Sequence, residues 1–80
     1  MTQEEVVATV KDLLHTKTGI DLVQLTDNAS LYNDLSIDSL DIVEVMQELE
    51  NKFNIKIEDE DAEKIVTVGD LFKLVLNQTG

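Results

Sequence analysis

Between Ser39 and Phe53 the apolar residues Ile42, Val45, Met46, Leu49 and Phe53 recur at steps of three and four. Only a helix gathers that spacing onto one face; a strand would scatter it across two. Asp38 stands where a cap belongs, and Asp41 suits the positive end of the first turn. A single helix of this length is marginal in water. The chain must therefore bring other amphipathic segments to cover its stripe.

Three such segments are visible. Thr2-Gln3-Glu4-Glu5 reads as a capping box, with Thr2 as cap and Glu5 reaching back. Val6, Val10, Leu13 and Leu14, with Val7 beside them, then predict a first helix to about His15 or Thr16, stopped by Thr18-Gly19. Glu58 to Ile65 predicts a short third helix, its acids early and Lys64 late as the helix dipole favours. Thr67-Val68-Gly69-Asp70 resembles a second capping box with aspartate in place of glutamate. Val68, Leu71, Phe72 and Val75 carry the last helix to about Leu76, which Gly69 weakens slightly. Asn54-Ile55-Lys56-Ile57 is a connector with both isoleucines turned inward.

From Lys17 to Asp38 no period holds. A loop of about twenty residues is long for a small domain. Its apolar residues Ile20, Leu22, Val23, Leu25, Leu31, Tyr32, Leu35 and Ile37 suggest that it is pinned to the core, with room for one helical turn. The expected fold is all-α: a four-helix bundle of three longer helices and one short third helix, with a long loop between helices one and two. At 80 residues it forms one domain, 1–80, with net stability of roughly 3–5 kcal/mol.

Charge narrows the partners. Seventeen acids face six lysines, for a formal net charge of −11. From Asn33 to Glu63 there are eleven acids against Lys52 and Lys56 alone. Nucleic acid and anionic lipid would be repelled, whereas basic protein surfaces would be attracted. No apolar run is long enough to span a membrane. The N-terminal residues lack the apolar core of a secretion signal, so a cytoplasmic protein is expected. There is no cysteine, hence no disulfide and no thiolate metal site.

Catalytic and metal readings fail for want of parts. His15 is the one histidine, and near a helix end it reads as a surface residue. No Gly-x-Ser-x-Gly surrounds Ser39, and the three glycines form no phosphate-cradling loop. Asp59-Glu60-Asp61-Ala62-Glu63 lacks the alternating ligands and central glycine of a calcium loop. No catalytic residue and no metal ligand is assigned.

Ser39 has two possible jobs. It could cap the helix, or it could carry a phosphate-linked group, since a helix start offers free N–H donors and a positive dipole end. Asp38 is the better cap, which leaves the Ser39 hydroxyl free. Asp38-Ser39-Leu40-Asp41, followed by Val43-Glu44 and Leu49-Glu50, resembles the modification site and recognition helix of acyl carrier proteins. Leu25 to Leu31, Asp59 to Ile65 and Thr67 to Leu71 extend the resemblance along nearly the whole chain.

The resemblance implies a 4′-phosphopantetheine arm, donated by coenzyme A and attached at Ser39, whose terminal thiol holds acyl groups as thioesters. It implies a monomer that is a carrier and not an enzyme, serving fatty acid synthesis. The implied partners are a phosphopantetheinyl transferase, ketoacyl synthases, reductases, dehydratases and acyltransferases with basic docking patches. By the same correspondence Asp38, Asp41, Glu44 and Glu50 supply docking charges, Leu40 and Val43 the apolar contacts, and Gln47 lies on the same face. Leu49, Ile57, Ala62 and Ile65 are the candidate acyl pocket, or ordinary core. Ser36, Ile37, Gln47, Lys52 and Glu58 depart from the usual family pattern. Two alternatives stay open: a carrier for polyketide, aminoacyl or other specialised acyl transfer, and an acidic interaction module with no prosthetic group.

Overall fold

The computed structural model describes residues 2–79. Four helices follow in order: α1 (Gln3–Thr18), α2 (Ser39–Phe53), α3 (Asp59–Glu63) and α4 (Val68–Thr79), with one 3₁₀ turn, Leu22–Gln24, in the long loop. Among the described residues the only β pairing is an isolated bridge between Ser30 and Thr67. The expected all-α bundle of three longer helices and one short one is what forms.

α2 has the bounds its periodicity gives. α1 and α4 run two or three residues further than their apolar stripes. Thr18 stays helical by donating its hydroxyl to the Leu14 carbonyl at 2.6 Å, and Gly19 ends α1 at φ 77°. Thr79 does the same to the Val75 carbonyl at 2.9 Å. Of the first capping box only half is present: the Glu5 N–H donates to Thr2 Oγ1 at 3.2 Å. α3 shortens to five residues, because Lys64 already leaves the helix as its C-cap.

The stripes of α1, α2 and α4 meet in one core. Val6, Val10 and Leu14 face Ile42, Val45, Met46 and Leu49 from α2 and Val68, Leu71, Phe72 and Val75 from α4. Leu25, Ala29, Leu31 and Ile37 from the loop are buried among them. At about 1.5–3 kcal/mol for each large apolar side chain buried, these anchors offset much of the entropy of ordering the loop. Leu22, Val23 and Tyr32 are exposed, so they are not the pins that the sequence suggested.

The loop is also laced to the turn before α4. The Leu31 N–H donates to the Val66 carbonyl at 2.9 Å, the Val68 N–H to Ala29 at 3.1 Å and the Gly69 N–H to Asp27 at 2.9 Å. Gly69 is required by this lacing. A Cβ there would stand 2.8 Å from the Asp27 carbonyl oxygen that its own N–H bonds. The turn itself is fixed by the second capping box. The Asp70 N–H donates to Thr67 Oγ1 at 3.2 Å, and Asp70 Oδ2 accepts from Val66 and Thr67 N–H at 2.9 and 3.0 Å. Those bonds, led by the one from Val66, hold the Asp70 carboxyl below its ordinary value of 3.8, and Lys73 adds to the effect.

Two outcomes are expected. Gly69→Ala gains about 1 kcal/mol of helix propensity but forces backbone apart, so a net loss of roughly 1–2 kcal/mol should appear in urea unfolding. A stabilised alanine variant would show that the approach to Asp27 is not tight. Asp70→Asn should lose about 1 kcal/mol or less, since the carboxylate is only half-buried. A depressed native pKa contributes stability above the unfolded value and loses it as pH falls through the native value. The gap between wild type and Asp70→Asn should therefore be constant at neutral pH and close below 3.8. A gap that persists in acid would refute the assignment.

Candidate functional site

The approach to Ser39 is built one residue at a time. Leu31 is fixed by its bond to Val66, and its carbonyl in turn accepts from the Ile37 N–H at 2.9 Å. To make that turn, Ser36 takes the left-handed conformation at φ 53°. Ile37 is then driven into the core. Its neighbour Asp38 emerges at the surface as the cap of α2, with Oδ1 accepting from the Leu40 N–H at 3.1 Å. Ser39 follows as the first helical residue and is exposed.

The sequence argument on capping therefore holds. Asp38 does the capping, and Ser39 Oγ meets only the edge of the Asp38 carboxylate, at 3.5 Å. That length is too long to hold the hydroxyl strongly. The oxygen is free to take a substituent that extends into solvent, and the helix end behind it favours an anion. The exposed position imposes no shape on a covalent arm, so the residues present fit one.

Beside Ser39 the predicted docking residues form one outer face of α2. Asp38, Leu40, Val43, Glu44 and Gln47 are exposed, and Asp41 is half-buried. Leu40 is 71% exposed and Val43 51%, a high value for apolar residues on a charged helix. Glu50 stands apart: half-buried, its carboxylate accepts from the Ile57 N–H at 2.9 Å. Glu48 is paired across to Lys17 of α1 at 3.6 Å.

The four candidate pocket residues separate into two sets. Ile57 and Ala62 line a surface groove of about 190 Å³ with Val43, Met46, Gln47, Glu50 and Asp59. Leu49 and Ile65 are buried core residues and are not among its lining. Met46 and Asp59 were missed as groove residues. Met46 carries the same spacing as its core neighbours, so nothing in the sequence marked it. His15 is a surface residue whose Nδ1 lies 2.7 Å from the Ile20 carbonyl oxygen, closing the end of α1.

The fold and the site together define a small helical bundle that presents a free serine at a helix start, with an acidic face and a surface groove along the same helix. Residues 8–75 match the family described as the phosphopantetheine attachment site. The acyl carrier protein of Thermotoga maritima is 40% identical over 78 residues, covering 98% of this chain and 96% of its own. That of Chloroherpeton thalassium is 45% identical over 78 residues, covering 98% of each. A solved structure of acyl carrier protein from Enterococcus faecalis superimposes with a TM-score of 0.83 at 38% identity, covering 98% of this chain and 99% of that one. The chain belongs to the acyl carrier protein family. Its cofactor is the family's 4′-phosphopantetheine, and its task is to carry acyl groups.

Ser36 holds the left-handed conformation with an L side chain. An L-residue there costs about 1–2 kcal/mol, against roughly 0.5–1 kcal/mol for the looser unfolded chain of a glycine variant. Ser36→Gly should therefore raise stability by about 0.5–1 kcal/mol in chemical denaturation. A less stable variant would show that the serine side chain contributes something the backbone angle does not reveal.

Proposed function

We propose that this chain, as a single domain over 1–80, bears its 4′-phosphopantetheine arm on Ser39 and delivers acyl thioesters to the enzymes of fatty acid synthesis. The observation that carries the assignment is the division of labour at the start of α2. Asp38 satisfies the helix end, and the adjacent Ser39 hydroxyl is exposed and uncommitted. The arm supplies the thiol that a cysteine-free chain lacks. Ser39 Oγ loses its proton and attacks the pantetheine-side phosphorus of coenzyme A; the P–O bond of the diphosphate breaks and adenosine 3′,5′-bisphosphate leaves, with the catalysis supplied by a phosphopantetheinyl transferase.

The chain itself acts as a monomeric cytoplasmic carrier and not as an enzyme. Asp38, Asp41 and Glu44 offer charge to basic patches on ketoacyl synthases, reductases, dehydratases and acyltransferases. Leu40, Val43 and Gln47 form the contact between those charges. Exposed charges mainly steer and orient encounter, so such docking is quick, weak and salt-sensitive. A carrier that must leave each partner gains from that weakness. The groove at Ile57 and Ala62 is the place where a tethered acyl chain finds shelter, and Leu49 and Ile65 form the core behind it.

Incubation with coenzyme A and a broad-specificity phosphopantetheinyl transferase should add one phosphopantetheine, read by intact mass. Ser39→Ala should add none while folding normally by circular dichroism. Folded wild type that gains no mass, or Ser39→Ala that gains it, would overturn the assignment.

A further inference from the structure

The peptide that joins Lys56 to Ile57 is gripped at both of its polar ends by side chains of two different helices. Its carbonyl accepts from Gln78 Nε2 of α4 at 2.6 Å. Its N–H donates to Glu50 Oε2 of α2 at 2.9 Å. The same Glu50 also organises the start of the connector. Its main-chain carbonyl accepts from the N–H of Asn54, the left-handed C-cap of α2 at φ 53°, and from that of Ile55 at 3.1 Å. One residue thus fixes both where the chain leaves α2 and where it turns toward α3.

The clamped peptide leads into a wall of the groove. Ile57 is half-buried and lines it with Val43 and Met46, and Glu50 itself lies in the lining. Ile55 and Ile57 also pack against the core, but the other polar ties of this stretch are few. The ion pair between Lys56 and Glu58, at 3.7 Å, is exposed and weak. Glu58 caps α3 without a side-chain bond. A hydrogen bond to a charged, part-buried acceptor is among the stronger ties available to a short connector. A carboxylate committed to a main-chain N–H is also less available to a partner's lysine than the exposed Glu44.

We propose that Glu50 and Gln78 are positioning residues: by clamping the 56–57 peptide they hold Ile57 as a wall of the groove, and so set how well the groove shelters an acyl chain. The inference rests on the reading of Ser39 as the tether and of this groove as the shelter. Gln78 lies far along the sequence from every residue of the site, so neither spacing nor motif would have assigned it.

The test uses the full chain, loaded by a transferase from acetyl- or octanoyl-coenzyme A, with thioester cleavage by hydroxylamine as the readout. An acetyl group is too short to use the groove and serves as the control. Glu50→Ala and Gln78→Ala should each speed cleavage of the octanoyl form by about threefold or more, with the acetyl form unchanged. Glu50→Gln keeps an oxygen that can accept from Ile57, and should stay within about twofold of wild type for both. On the unloaded chain, hydrogen exchange at the Ile57 N–H should quicken at least about tenfold in Glu50→Ala, relative to core amides of α1. Gln78 is exposed at a helix end, so its variant reads the clamp even if Glu50→Ala fails to fold. Octanoyl cleavage that stays at the wild-type rate in Gln78→Ala, or acetyl and octanoyl rates that rise together, overturn the clamp alone. A folded chain that accepts no arm overturns the tether at Ser39, and the clamp's role with it.

Discussion

Three main-chain hydrogen bonds between the long loop and the turn before α4 are the constraint on which the rest depends. Helices α1, α2 and α4 could bury their stripes in more than one arrangement, because apolar contact has no direction. The bonds at Leu31, Val68 and Gly69 have direction, and they fix one register between distant parts of the chain. Each element of the seam has its own reason. Gly69 lets two backbones touch, Asp70 stiffens the turn from below, and Leu31 passes the restraint on to Ile37. Ser39 stands two residues beyond Ile37, so its hydroxyl is positioned by a turn about thirty residues further along the sequence.

What the sequence revealed follows from how local each cause was. The bounds of α2 were legible because its stripe and its cap lie within one short segment. The second capping box was legible for the same reason, down to the aspartate that takes the usual place of glutamate. The ends of α1 and α4 were not, since Thr18 and Thr79 stay helical through bonds to carbonyls and not through apolar spacing. In the loop, Leu25 and Leu31 are buried while Leu22 and Val23 are exposed, and no period distinguishes them. Ser39 could be singled out because Asp38 was the better cap. The groove could be only half read. Which of Leu49, Ile57, Ala62 and Ile65 line it depends on how the connector packs α3 against α2, which no local pattern encodes.

Acid excess in this chain is distributed with purpose, not merely in bulk. Two of the six lysines are paired, Lys17 with Glu48 and Lys56 with Glu58. Lys11 sits over the ring of Phe72, 6.0 Å from its centroid. Asp38 and Glu44 are left exposed around Leu40 and Val43. Charge at that density attracts over a Debye length of about 8–10 Å and fades beyond it.

No polar or charged residue is buried among those described. The interior is cohesive but undirected: methyl and methylene groups touch one another, and none has a bond that a neighbour must keep. A greasy guest that slips between the helices exchanges one set of dispersion contacts for another. It strands no donor and exposes no buried charge. The directional bonds lie in the helices, caps, seam and clamp, and none joins one core side chain to another. An interior without directional side-chain bonds leaves the caps, seam and clamp to fix the outline.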